Sequence, residues 1–560
     1  MSDQPVLQVQ NLSFRYHRRP DVAIENVTFD LHPGEMLLVA GASGCGKTTL
    51  ARCINGLIPR SYHGDRSGSV LVNGQEVSAM SLVEVAQKVG TLLQDPERQI
   101  VSSFVAGEIA FGLENLGLPR DEIYRRMDDV FERLKLNHLR KREAFNLSGG
   151  EKQKVALAGV LVMRPSVLLL DEPLASLDPA SAYEAIQIFR SLADEGTAVV
   201  LIEHRVEDAL QARPDRLLYM EQGWVRYLGP VDTLPREINY HAVKLPTAWV
   251  IERVSQESLQ PVPARSPNPA DPQAEILVSF KDVSFAYGDG PEVLHNINLD
   301  IRQGDLIAVL GPNGAGKSTL VKHAIGLHKP TRGEVLIKGI DSRKQSVAQT
   351  ARTIGYVFQS PTHMLFAPTV REEVAFGPEN LKHKKEDIQH SVAESVSAVN
   401  LVGLEEYPPL GLSFGQQKRT TIAAVLAMRS QIIVLDEPTA GQDYANYTRF
   451  MDMLCSTQDG EGRSLLTANF KAALFITHDL DLAVTYANRI LLISDGQLVA
   501  DGPPESILRD FGLLESCRVR PTSLLRMNLE LLPKTGRFLA AEALAPYHSS
   551  LYSASNHSIS

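Results

Sequence analysis

The feature that most constrains this chain is that it repeats itself. The run Gly41-Ala42-Ser43-Gly44-Cys45-Gly46-Lys47-Thr48-Thr49 returns as Gly311-Pro312-Asn313-Gly314-Ala315-Gly316-Lys317-Ser318-Thr319, and Leu170-Asp171-Glu172-Pro173 returns as Leu435-Asp436-Glu437-Pro438. The flanks repeat as well. Leu12-Ser13-Phe14-Arg15-Tyr16 resembles Val283-Ser284-Phe285-Ala286-Tyr287, and Glu108-Ile109-Ala110-Phe111-Gly112 resembles Glu373-Val374-Ala375-Phe376-Gly377. Four segments in one order at near-constant spacing mean two homologous halves, so every motif must be read as a pair. At ~150 residues per domain, 560 residues imply about four compact units or two large ones, and the duplication selects two large halves.

The repeat sets the boundaries. We expect a first domain over residues 1–235, a linker over 236–275, a second domain over 276–510 and a tail over 511–560. The linker ends in a stretch with Pro261, Pro263, Pro267, Pro269 and Pro272, which favours an extended, semi-rigid spacer. The tail has no counterpart in the first half, and its end, from His548 to Ser560, is polar enough to be disordered.

Composition narrows the class. Hydrophobic residues at 44% and charged residues at 22% fit globular domains with large cores and exclude a collagen-like or largely disordered chain. A formal charge of −10 removes the broad basic footprint of a dedicated nucleic-acid binder. Cys45, Cys53, Cys455 and Cys517 form no CxxC pair, so we expect reduced thiols and neither a disulfide scaffold nor a zinc site. The longest apolar runs, around Leu168-Leu169-Leu170 and Ile432-Ile433-Val434-Leu435, are strand-sized, far below the ~20 residues a membrane span needs. The opening Met1-Ser2-Asp3-Gln4-Pro5 lacks the basic and apolar regions of a signal peptide. Any membrane role must therefore pass through a partner.

Each G-x-x-x-x-G-K-[ST] run follows a buried-strand pattern (Met36 to Ala40, Leu306 to Leu310) and precedes a helix-compatible segment, the context a phosphate loop requires. In such a loop, glycines let backbone N–H groups converge on phosphate oxygens and the helix N-terminus adds positive potential. Lys47 or Lys317 reaches the terminal phosphates, and Thr48 or Ser318 can ligate Mg²⁺. Two matches at equivalent places exclude a chance glycine-rich turn. An apolar strand ending in Asp-Glu places Asp171 or Asp436 on the Mg²⁺ side, and Glu172 or Glu437 to polarise an attacking water. Without an upstream phosphate loop, the same Asp-Glu would read as a solvated strand end.

Leu147-Ser148-Gly149-Gly150-Glu151 and Leu412-Ser413-Phe414-Gly415-Gln416 lie between each loop and its carboxylates. In this order the set resembles the ATP-binding-cassette ATPases over both halves. The resemblance implies an α/β fold of two P-loop NTPase domains, each a parallel-sheet RecA-like core with an antiparallel edge and a helical lobe. It implies that Tyr16 and Tyr287 stack on adenine, that Gln94 and Gln359 sense the γ-phosphate and Mg²⁺, and that His204 and His478 are switch histidines. The resemblance also implies that Asp178 and Asp443 sit in the loops that cross the cassette interface. It further implies that Ser148, Gly150, Ser413 and Gly415 grip ATP bound on the opposite cassette, so that ATP is sandwiched within one chain. Phe414 departs from the pattern in place of the first signature glycine, which puts equal turnover at the two sites in doubt. Gln442 also precedes Asp443 where the first half has Leu177.

The segments after Gln94 and Gln359, followed by Val-x-x-Glu-[IV]-Ala-Phe-Gly at Val105 and Val370, look like the ATPases of energy-coupling-factor importers of vitamins and metal ions. That implies a peripheral ATPase on the cytoplasmic face of the cell membrane, with an integral coupling subunit and a substrate-binding membrane subunit as partners. Taken alone, Phe111 and Phe376 read as helical-lobe core. The reading from another class is a twin-cassette ATPase acting on ribosomes or DNA. Four basic and six acidic residues across 231–275 argue against gripping RNA there, and neither a zinc insertion nor long heptads mark a DNA-repair type.

Overall fold

The computed structural model describes residues 4–17, 21–93, 98–174, 177–231, 238–257, 271–439, 442–455 and 464–555. Gln94 and most of the Pro-rich stretch, 258–270, lie outside the described residues. The chain forms two compact units: Met1–Leu177 with Ser181–Leu245 and Asp443–Ala445, and Asp178–Ala180 with Pro246–Gln442 and Asn446–Ser560.

In the first unit the strands are β1 (Leu7–Tyr16), β2 (Ile24–Leu31), β3 (Met36–Ala40), β4 (Gly64–Val72), β5 (Gln75–Glu76), β6 (Val89–Leu92), β7 (Val167–Asp171), β8 (Ala198–Ile202), β9 (Arg216–Glu221) and β10 (Trp224–Pro230). They build an antiparallel sheet in the order β2-β1-β4-β5 and a six-stranded sheet in the order β6-β7-β8-β3-β9-β10. Within the larger sheet β6, β7, β8, β3 and β9 are parallel, and β10 pairs antiparallel at the edge. Every residue of β3 and β8 is buried, as expected for parallel strands covered on both faces, whereas β1 alternates buried with exposed positions.

The second unit repeats this plan with β11 (Ile276–Ala286), β12 (Glu292–Arg302), β13 (Leu306–Leu310), β14 (Arg332–Ile337), β15 (Ile340–Asp341), β16 (Ile354–Val357), β17 (Ile432–Asp436), β18 (Ala472–Ile476), β19 (Arg489–Ser494) and β20 (Gln497–Gly502). The sheet orders are β12-β11-β14-β15 and β16-β17-β18-β13-β19-β20. In each unit one hydrophobic core joins the two sheets to the helix after the phosphate loop, through Phe14, Leu37, Val39 and Leu50 in the first and Phe280, Ile307, Val309 and Leu320 in the second. Each such side chain contributes roughly 1.5–3 kcal/mol by leaving water.

Three helices form a lobe in each unit: Val105–Asn115, Arg120–Arg133 and Gly149–Leu161, then Val370–Asn380, Lys385–Ala398 and Phe414–Ala427. No helix among the described residues is long and apolar enough to cross a membrane. The linker expected over 236–275 contains, ahead of its proline stretch, a helix, Thr247–Glu257, whose buried Val250, Ile251 and Val254 recur at helical spacing. It packs on the tail helices Ser523–Thr535 and Ala541–Ser555, and the Thr247 N–H donates to Ser523 Oγ at 2.8 Å. The last helix runs into the segment expected to be disordered.

Candidate active sites

Both phosphate loops leave the carboxyl end of the central strand, β3 or β13, where the sheet order reverses and α/β folds bind their ligands. Gly46 and Gly316 cap the following helices with φ of 110° and 99°, a region open to glycine, and no side chain caps either helix. The N–H groups of the first turn therefore remain available to an anion. A Cβ at Gly41 or Gly311 would collide with the carbonyl oxygen of Met220 or Ile493, whereas Gly44 and Gly314 at the loop tips face open space. Lys47 Nζ donates to the Gly41 and Ala42 carbonyls at 2.7 and 2.8 Å, and Lys317 Nζ donates to those of Gly311 and Pro312 at 2.8 and 2.9 Å. Each buried ammonium is thereby aimed back along its own loop. Burial pushes the Lys317 ammonium below its ordinary range, and the Glu437, Asp178 and Asp436 carboxylates oppose that shift.

The strand-end carboxylates stand beside the loops. Burial, reinforced by Glu172, pushes the Asp171 carboxyl up to about 6. Burial also raises Asp436, against hydrogen bonds from Tyr356 and Ser318. The buried Asp436 carboxylate, bonded by the Ser318 hydroxyl, is the hard-oxygen donor set that Mg²⁺ takes, and Asp171 with Thr48 supplies the same donor types in the first cassette.

Glu172 and Glu437 adopt left-handed backbone, with φ of 49° and 44°, a strained conformation that recurs at functional sites. Each is pinned by its N–H, which donates at 3.0 Å to Ile202 O or Ile476 O of the neighbouring strand. His204 Nδ1 lies 3.8 Å from Glu172 Oε1, and His478 Nδ1 lies 3.1 Å from Glu437 Oε2. Burial raises the Glu172 carboxyl, but His204 and Lys47 outweigh it and hold the group below its ordinary value, as an ionised base requires.

The Tyr16 and Tyr287 hydroxyls sit 3.1 Å from Thr49 Oγ1 and Thr319 Oγ1, placing both rings beside the phosphate-loop helices. Ser148 and Ser413 cap the third lobe helix through reciprocal boxes with Glu151 and Gln416. Both serines are exposed, and nothing lies within reach of a Cβ at Gly149 or Gly415. Phe414, at the position equivalent to Gly149, is accommodated as a 37% exposed ring. The Gln359 side chain is exposed. Asp178 is buried, and its Oδ1 accepts the Ala180 N–H at 3.1 Å.

The expectation that Phe111 and Phe376 are lobe core is overturned: they are 49% and 47% exposed. Their helices turn Ile109 and Leu113, or Val374, inward and leave the rings outside. Three further residues escape sequence reading. Glu203 is fully buried, accepts the Leu174 N–H at 3.0 Å, and is pushed by burial up to about 7. Lys418 and Tyr356 hold the second site from behind, as argued below.

Two cassettes that each set a phosphate loop, a strand-end Asp-Glu and a histidine one strand over at the same sheet edge define a P-loop nucleoside triphosphatase. The sequence profile of the family described as ABC transporter matches residues 24–175 and 294–440. A Bacillus cereus protein, named by inference as an ABC transporter ATP-binding protein, is 33% identical over 554 residues, covering 94% of this chain and 95% of its own. A counterpart from Caldanaerobacter subterraneus, named in the same way, is 34% identical and covers 97% and 99%. Among solved structures, an archaeal ribosome recycling factor, in complex with a ribosomal stalk protein, shares the fold with a TM-score of 0.59 at 20% identity, covering 90% of this chain and 92% of its own. The chain belongs to the ABC transporter family. It is a tandem-cassette ATPase that hydrolyses ATP to ADP and phosphate with Mg²⁺.

Proposed function

We propose that this ATPase drives an importer of the energy-coupling-factor type, coupling ATP binding and hydrolysis to uptake of a small solute, a vitamin or metal ion, at the cytoplasmic face of the cell membrane. The observation that carries the reading is the aromatic surface of the helical lobes. Phe366 is 62% exposed and packs edge to face on Phe376 with ring centroids 4.7 Å apart, and Phe111 occupies the equivalent place on the first lobe. Exposed rings in contact are an interaction surface, and an apolar helix of an integral coupling subunit fits it. The relatives' names as transporter ATP-binding proteins support the same reading.

In this reading one ATP site combines Lys47, Gln94, Glu172 and His204 with Ser413 and Gly415, and the other combines Lys317, Gln359, Glu437 and His478 with Ser148 and Gly150. Tyr16 and Tyr287 take the adenine rings. Mg²⁺, held on the side of Thr48, Gln94 and Asp171 or Ser318, Gln359 and Asp436, supplies charge neutralisation at the phosphates. Glu172 and Glu437 orient the attacking water and take its proton, and the histidines hold those carboxylates. The lysines and signature donors stabilise charge that develops on the transferring phosphoryl group. ATP closes the cassettes and hydrolysis reopens them.

Purifying the chain from membranes and identifying the integral proteins bound to it tests the proposal. A small coupling subunit together with a substrate-binding membrane protein supports the importer. Ribosomes or DNA in their place overturn it in favour of a soluble twin-cassette ATPase.

A further inference from the structure

We propose that Lys418 and Tyr356 are positioning residues that brace Gln359 and Asp436 in the second cassette and set how tightly its site binds the divalent cation of the nucleotide; Gln153 and Thr91, at the equivalent places of the first cassette, carry neither the ammonium nor the phenol.

Lys418 is 0% exposed, on the helix that begins at Ser413. A buried ammonium has to spend its donors, and two go to the carbonyls of Phe358 at 3.0 Å and Gln359 at 2.9 Å. Those residues directly follow β16. The backbone of Gln359 is thus tied to the signature helix while its side chain stays exposed. Tyr356 lies on β16, opposite Val434 of β17, and its hydroxyl donates to Asp436 Oδ2 at the end of that strand. Its ring stands edge to face with Phe358, centroids 4.7 Å apart. Lys418, Phe358, Tyr356 and Asp436 therefore form one continuous chain of contacts from the signature helix to the Mg²⁺-side carboxylate.

The first cassette is wired differently. Thr91 stands at the position of Tyr356, opposite Leu169 of β7. Gln153 stands at the position of Lys418, and its amide donates to the Pro173 carbonyl, next to Glu172. The first signature helix is thus tied to the segment after the carboxylates, and the second to the segment that carries Gln359. Groups that orient metal ligands from behind typically change cation affinity about 10–100-fold when removed.

The inference rests on reading Asp436 and Gln359 as the Mg²⁺ side of the second site. The test uses the full chain with Glu172→Gln and Glu437→Gln to stop turnover, saturating ATP, and Mn²⁺ followed by electron paramagnetic resonance. Two Mn²⁺ sites are expected, and Lys317→Ala identifies the one belonging to the second cassette. Tyr356→Phe and Lys418→Met should each weaken that site about tenfold and leave the other unchanged. An intact first site and an unshifted melting temperature show that the variants fold, and Tyr356→Phe carries the test if Lys418→Met does not fold. Asp436→Asn is the control. If it removes the second site while both brace variants leave that site untouched, the brace is overturned. If Asp436→Asn itself leaves both sites intact, the reading of Asp436 is what fails.

Discussion

His478 Nδ1 lies 3.1 Å from Glu437 Oε2, while His204 Nδ1 stands 3.8 Å from Glu172 Oε1. The tighter pair occupies the cassette that also holds Tyr356 on Asp436, so the two hydrolytic sets are not copies of one geometry. Glu172→Gln and Glu437→Gln each remove a water-orienting carboxylate, a change worth about 10²–10⁴-fold at its own site. Steady-state ATPase should fall to unequal residual rates in the two single variants and by at least about 10²-fold in the double variant. Equal losses in the single variants would count against asymmetry.

Lys47→Ala combined with Lys317→Ala should abolish ATPase and transport while leaving the fold. Each ammonium donates to carbonyls of its own loop, Lys47 also lies 3.9 Å from Cys45 Sγ, and the glycine at each loop tip faces free space. Water can replace those bonds once the side chain is gone. The checks are nucleotide binding, solute uptake and a thermal melt. Retained uptake in the double variant sinks the proposed mechanism.

Glu203 makes stability depend on pH. Its carboxyl, pushed up to about 7 by burial, is proton-bound in the folded chain over a range where the unfolded chain has released the proton. The stabilisation is complete below the ordinary value of 4.5 and is lost as pH rises through about 7. A shift of that size is worth up to about 3 kcal/mol. Glu203→Gln keeps an acceptor for the Leu174 N–H and carries no charge. It should melt several degrees above the parent at pH 8 and with the parent at pH 5, and equal melting temperatures at pH 8 would contradict the assignment.

Asn528 tests whether the tail is part of the second unit's folded body. Its side chain is fully buried, donates to Leu524 O at 3.0 Å and Leu539 O at 2.9 Å, and accepts the Leu539 N–H at 2.7 Å. Asn528→Ala strands the donor and acceptor of Leu539 in an apolar setting, at about 1–3 kcal/mol for each unmade bond. The expected result is a lower melting temperature and early proteolysis beyond residue 511, with ATP binding retained at the first cassette.

What could be read in advance follows from how strictly the chemistry dictates residue types. A phosphate loop needs its glycines and lysine at fixed spacing, and a hydrolytic strand end needs Asp then Glu, so both sites were legible from 41–49, 171–172, 311–319 and 436–437. The backbone strain at Glu172 and Glu437 was not, because a carboxylate at φ near 45° looks like any other in sequence. Lys418, Tyr356 and Glu203 were missed because a single Lys in a helix, Tyr in a strand or Glu at a strand end carries no spacing signal. Their roles come from neighbours about 60–80 residues distant for Lys418 and Tyr356, and about 30 for Glu203. Thr247–Glu257 was hidden by the prolines that follow it.

Phe111 and Phe376 repeat at helical spacing among buried neighbours, a pattern that reads as core, and only the packed lobe shows both rings half-exposed. If these rings receive a coupling helix, charge at their positions should break the complex without touching the phosphate sites. Phe111→Asp with Phe376→Asp removes two half-exposed rings and the Phe366–Phe376 contact, so folding stability should fall by about 1–2 kcal/mol, too little to unfold the phosphate sites. The double variant is expected to keep ATPase in detergent-free solution, to lose co-purification with integral membrane proteins, and to lose solute uptake in cells. Uptake and co-purification that survive both substitutions would remove the aromatic surface from the docking site and, with it, the observation on which the importer reading stands.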